Sequence, residues 1–153
     1  MKTPPSHLED HLGYWLRMLS NSVSGAFSQR LERYEVSVAN WVVLRVLFDR
    51  EALTLKEVGR SIGVDQGALS RMVKRLMVRG LVVRKENPQD RREVAISLTK
   101  EGRTLVPKLA READENDREC FQSLSPRDRA ALESTIKALL AGNGGDAVPH
   151  PIT

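Results

Sequence analysis

The stretch TLKEVGRSIGVDQGALSRMVKRLMVRG, residues 54–80, decides the fold. It opens with a capping box, Thr54-Leu-Lys-Glu57, in which the threonine side chain accepts a free first-turn amide and the glutamate reaches back to the cap. The short helix begun there places Leu55, Val58 and Ile62 on one face and ends at Gly63, a residue free to adopt positive φ. After the turn Gly63-Val64-Asp65 a second helix runs to Gly80. Its apolar line is Leu69, Val73 and Leu76; the opposite faces carry Gln66, Ser70, Arg71, Lys74, Arg75 and Arg79. Asp65 suits the positive end of the helix dipole, and the basic residues near Gly80 suit its negative end.

Downstream, the period changes from helical to two. Leu81 to Lys85 is β-prone, Val94-Ala-Ile96-Ser-Leu98 alternates, and the polar segment Glu86 to Glu93 joins them as a projecting loop with a charged tip. Thr99 caps a helix carrying Leu105, Leu109, Ala113, Asn116, Cys120 and Phe121. Ser125-Pro126 starts a last helix with Leu132, Ile136, Leu139 and Leu140 that stops at Gly142. Upstream, Ser37 caps a segment from Val38 to Phe48 that is apolar on nearly every side, as a central core helix is. Before it, Leu8, Leu12, Trp15, Leu19, Val23, Phe27, Leu31 and Tyr34 recur at helical spacing across residues 7–34. A helix of that length spans about 40 Å, more than a small domain covers alone, so its stripe is expected against a second chain or a long partner helix. Gly25 is expected to interrupt it.

Core helix, capped short helix, glycine turn, basic helix and hairpin follow one another in the order of a winged helix-turn-helix, whose second helix enters the major groove. Glutamine there can pair with adenine, and arginine or lysine with guanine; Gly67 lets the backbone approach a ligand closely. The fold expected is mainly α with a small β-hairpin wing, a winged lobe joined to a helical dimerisation region. Charge agrees. Residues 54–103 hold 12 Lys/Arg and 6 Asp/Glu, whereas the remainder holds 12 and 14, so a basic centre is flanked by slightly acidic arms.

Composition narrows the alternatives. An apolar fraction of 41% supports a real core. No apolar run approaches the ~20 residues of a membrane span, the first residues lack the apolar region of a secretory signal, and one cysteine fits a reducing cytoplasm. Catalysis needs a nucleophile with its base or paired carboxylates in a cleft, and the acids here are scattered over helix surfaces. No enzyme and no cofactor are expected. His7 and His11 are four apart, but no further histidine or cysteine lies near them, so no metal site is expected.

Leu55-x-x-Val58-Gly-x-x-Ile62-Gly-Val64, Leu69-Ser-Arg71-Met-Val-x-x-Leu76, Gly80-Leu-Val-x-Arg84, Pro88-x-Asp-Arg-Arg92 and Leu98-Thr-x-x-Gly102 together resemble the MarR family of bacterial regulators. The resemblance runs from about Leu8 to Leu140 and is specific over residues 54–102; the flanking helices match in length and pattern only. It departs at Gly59, where the family often has alanine.

What the resemblance implies is a homodimer whose terminal helices interlock, binding a palindromic operator in double-stranded DNA. The recognition helix would contribute Gln66, Gly67, Ser70, Arg71, Lys74 and Arg75. In the wing, Asp90 would brace the hairpin, Arg92 enter the minor groove, and Arg91 reach phosphate or share that groove. The resemblance also implies a small aromatic or anionic ligand where the dimer helices meet the winged lobe, with Trp15, Arg17, Met18, Trp41, Leu44 and Arg45 as the residues to line it; ordinary core is the competing reading of both tryptophans. Peroxide-sensing relatives carry their cysteine in the first helix, which here has none, so Cys120 reads as a packed or interfacial thiol. The division expected is 7–35 N-terminal dimerisation helix, 36–102 winged lobe, 103–141 C-terminal dimerisation helices and 142–153 flexible tail. The function expected is a cytoplasmic, sequence-specific, ligand-relieved repressor; the alternative is an architectural DNA-binding protein with little sequence preference.

Overall fold

A computed structural model describes residues 5–86, 90 and 94–143. The first long helix, α1, is Leu12–Leu31, not the whole of 7–34. Residues Leu8–Asp10 form a separate 3-10 turn, and His11 between the two is extended (φ −97°, ψ 119°). The break is held locally: the Asp10 carboxylate accepts the His7 amide at 2.9 Å, and the Trp15 indole donates to the Glu9 carbonyl at 2.9 Å. At the far end Glu32–Tyr34 tightens to 3-10 geometry and Glu35 turns left-handed at φ 52°. Apolar spacings of three and four suit 3-10 and α turns alike, so the period could not register these ends. The α-helix is therefore 20 residues, about 30 Å. It runs through Gly25 without interruption.

Ser37 caps α2, Val38–Phe48, by accepting the Asn40 amide at 3.1 Å. Val43, Leu44 and Leu47 on this helix are fully buried. The capping box is formed in both directions, with Glu57 N–H to Thr54 Oγ1 at 3.2 Å and Thr54 N–H to Glu57 Oε2 at 2.7 Å, and it starts α3, Leu55–Ile62. Gly63 ends that helix at φ 66°. Asp65 then caps α4, Gln66–Val78, through the Ala68 amide at 3.0 Å.

The wing is a three-stranded sheet rather than a bare hairpin. β1 is Leu53–Thr54, β2 is Val82–Glu86 and β3 is Val94–Leu98, in the antiparallel order β1-β3-β2. β3 pairs Leu98 with Val82 and Val94 with Glu86 on one side, and Ile96 with Leu53 on the other. Two residues carry no period, so β1 leaves no trace in the sequence pattern. Thr99 caps α5, Lys100–Cys120, and Ser125 caps α6, Pro126–Gly142, by accepting the Gly102 and Asp128 amides. Leu31, Leu44, Leu47, Leu69, Leu76, Ile96 and Leu109 close one core in which α1, α2, α4, the sheet and α5 meet.

Two surfaces stay outside that core. Every residue of α6 is exposed, including the stripe Leu132, Ile136, Leu139 and Leu140. The N-terminal half of α1 likewise exposes Leu12, Trp15, Leu16, Met18 and Leu19 at 45% or more. Among the described residues no helix is long and apolar enough to cross a membrane. Most of the tail predicted over 142–153 lies outside the described residues.

Candidate nucleic-acid interface

α4 is fastened by Leu69, Met72, Val73 and Leu76, all buried, which turns the remaining faces outward. Gln66, Gly67, Ser70, Arg71, Lys74 and Arg75 are all exposed. Among the described residues Arg71, Lys74 and Arg75 make no ion pair and no side-chain hydrogen bond. Three cations on two successive turns, free of counter-charges, leave a concentrated positive potential for an incoming polyanion. A groove of about 650 Å³ runs beside Arg71, Lys74, Arg75, Val78 and Arg79. Met72, absent from the predicted apolar line, is buried beside Val73 and widens the anchor.

Gly67 has a local reason besides approach to a ligand. A Cβ there would stand 3.1 Å from the Asp65 carboxylate oxygen that caps the helix. The residue thus gives the cap room at the N-terminus of α4.

Arg79 closes α4 and behaves differently from its neighbours. Its guanidinium donates to the Tyr34 carbonyl at 3.0 Å and to the Glu35 carbonyl, and lies 3.6 Å from the Glu35 carboxylate. Residues 30–34 in turn grip α5. Arg30 and Arg33 pair with Glu112, the Tyr34 hydroxyl donates to the same carboxylate at 3.3 Å, and Arg30 also holds Glu119. That hydrogen bond from Arg30 keeps the Glu119 carboxyl below its ordinary range. Sequence reasoning placed Arg79 only among surface cations; its attachment to two carbonyls 44 and 45 residues away has no local signal.

In the wing, Asp90 is exposed, whereas Arg91 and Arg92 lie outside the described residues. The strands that carry the tip are anchored at their inner ends, where Val82 and Leu98 are buried.

The six residues named for a ligand pocket are spread over two helices. Trp15, Arg17 and Met18 are exposed on α1. On α2, Leu44 is fully buried, Trp41 is half-buried with its ring edge-on to Phe27 at 6.2 Å, and Arg45 is exposed, paired with Asp49 at 2.6 Å and lying over the Phe48 ring. His7 and His11 flank a 3-10 turn instead of sharing a helix face, and the His11 ring meets the Ser6 hydroxyl at 3.0 Å. Cys120, the last residue of α5, is half-buried with its thiol facing the Asn116 side-chain oxygen at 3.8 Å.

The model of the MarR family matches residues 36–94, from just before α2 to the start of β3. The organic hydroperoxide resistance transcriptional regulator of Bacillus subtilis (strain 168) is 33% identical over 101 residues, covering 66% of this chain and 69% of that protein. Among solved structures, BpsR of Bordetella bronchiseptica, whose DNA binding is regulated by 6-hydroxynicotinic acid, aligns with a TM-score of 0.82 at 29% identity, over 89% of this chain and 97% of its own. A cysteine-to-serine mutant of MarR from E. coli, complexed with operator DNA, aligns at 0.81 and 27% identity, over 88% and 99%. An anchored helix with unpaired cations, a short sheet beside it and these relatives lead to one assignment: the chain belongs to the MarR family, as a winged-helix, DNA-binding transcriptional regulator and not an enzyme.

Proposed function

We propose that this regulator is a repressor that binds a palindromic operator as a homodimer in the cytoplasm, and that a small aromatic acid relieves the binding. The observation that carries the reading is α4 itself: Arg71, Lys74 and Arg75 stand exposed without counter-ions on a helix locked to the core by four buried side chains. In this reading Gln66, Ser70, Arg71 and Lys74 meet base edges, Arg75 serves the backbone, and the wing around Asp90, Arg91 and Arg92 reaches the adjacent minor groove. The dimer is supported by the exposed apolar residues of α1 and α6, which form stripes that a single chain leaves in water. The regions 7–35 and 103–141 then serve dimerisation, and 36–102 serves DNA.

A dimer sets the separation of two recognition helices. A ligand that binds better to a different separation lowers operator affinity by its differential affinity for the two states. An aromatic acid is favoured over thiol oxidation because α1 holds no cysteine and Cys120 is half-buried at the end of α5. Similarity to a regulator controlled by 6-hydroxynicotinic acid points the same way. Trp15, Arg17, Met18, Trp41, Leu44 and Arg45 remain the residues proposed to enclose it.

Selection of binding sites from random duplex DNA tests the reading. A two-fold symmetric consensus bound at least a thousandfold tighter than random duplex, a ratio typical of specific regulators, is expected. Equal affinity for every duplex would establish the architectural alternative. Adding 6-hydroxynicotinic acid or a hydroxybenzoate to the operator complex tests the ligand, with release as the expected result.

A further inference from the structure

We infer that Arg79 is a positioning residue for DNA recognition: it fixes the attitude of α4 to the α1–α5 junction and thereby the half-site spacing that the protein accepts. The inference rests on the dimeric, two-half-site reading above. It starts from what the Arg79 guanidinium does. As the C-cap residue of α4, it continues a basic helix whose other cations are unpaired, yet both of its terminal nitrogens are spent on main-chain carbonyls of Tyr34 and Glu35. A guanidinium holds two acceptors in one plane, a geometry the single ammonium of lysine does not reproduce.

The point it grips is a junction. Glu35 is the one non-glycine residue at positive φ among the described residues, the place where the chain leaves the arm formed by α1 and turns into α2. Immediately before it, Arg30, Arg33 and Tyr34 converge on Glu112 of α5. Residues 30–35 therefore hold α5 by their side chains and the end of α4 by their backbone. α1 is also the helix whose other half exposes the apolar stripe proposed for the dimer. A rotation of the arm is carried to the recognition helix through this contact, because Arg79 ties the two ends directly.

The test compares wild type, Arg79→Ala and Arg79→Lys on duplexes carrying the selected consensus and on versions with one base pair added or removed between half-sites. Arg79→Ala is expected to lose preference for the correct spacing by on the order of tenfold, with Arg79→Lys recovering only part of it. Affinity for random duplex and the slope of log affinity against log salt are expected to stay at wild-type values. A phosphate contact would instead flatten that slope by about 0.9 and weaken every duplex alike. That result, or an unchanged spacing preference, overturns the inference. A second arm needs no DNA: amide exchange at Glu35 and Val36 is expected to accelerate in Arg79→Ala while amides of β3 keep their wild-type rates, and unchanged exchange at Glu35 overturns the joint by itself. Absence of any spacing preference in wild type is a separate outcome; it removes the two-half-site reading and with it the role assigned to Arg79, whatever the exchange rates show.

Discussion

Gly102 of α5 lies so close to the Leu81 carbonyl that a Cβ at position 102 would fall inside its van der Waals envelope. The Leu81 carbonyl carbon and a Leu98 methyl would both stand 3.2 Å away. Around the same point Thr99 Oγ1 donates to the Gly80 carbonyl at 2.6 Å, and the Thr99 amide donates to Leu81 at 3.1 Å. The start of α5 is thus pressed onto the strand entrance of β2.

Gly102→Ala is accordingly expected to destabilise the fold. Alanine in a helix interior is worth about 1 kcal/mol over glycine, but forcing a methyl group against a backbone carbonyl costs about 1–3 kcal/mol and shifts the junction as well. Urea denaturation followed by circular dichroism measures the balance; a midpoint above wild type would refute the close approach.

Base contacts and phosphate contacts separate by substitution. Arg71→Ala and Lys74→Ala are each expected to weaken the selected operator by about 1–3 kcal/mol while relaxing specificity at the base they touch. Arg75→Ala is expected to weaken all duplexes similarly and to reduce the salt slope by about one contact. Fluorescence anisotropy on operator and random duplex, at several salt concentrations, reads both quantities.

The capping box titrates. The Thr54 backbone amide, and after it the Thr54 hydroxyl, hold the Glu57 carboxyl below the ordinary glutamate value. The folded value is then lower than the unfolded one. The stabilisation is complete above the unfolded value and fades as pH falls through the folded value. Glu57→Gln is expected to remove this share of the acid sensitivity, so its stability between pH 3 and 6 should be flatter than that of wild type. Denaturant midpoints across that range provide the check.

The exposed stripes of α1 and α6 predict an oligomeric consequence. Ile136→Asp combined with Leu139→Asp places charge on an apolar face without touching the winged core, since no residue of α6 is buried within the chain. Analytical ultracentrifugation is expected to show monomers, circular dichroism to show a retained helical fold, and the operator affinity to fall toward that of a single half-site. Persistence of a dimer would move the interface elsewhere.

Residues 54–80 announced their own structure because everything needed there is local. A capping box spans four residues, a left-handed stop needs one glycine, and an apolar line repeats within one helix; Thr54, Gly63 and Leu69-Val73-Leu76 do what their spacing requires. The exposed, basic face of α4 was legible for the same reason. By itself the sequence determined the winged lobe, its helix caps and the outward, basic face of α4. The tertiary structure alone decided what depends on partners distant in the chain: the pairing of Leu53 with Ile96, the press of Gly102 on Leu81, and the capture of Tyr34 and Glu35 by Arg79. Periodicity reports which side of an element is apolar. It does not report which carbonyl, forty residues away, a side chain will find, because that choice is made by the packing of the whole core.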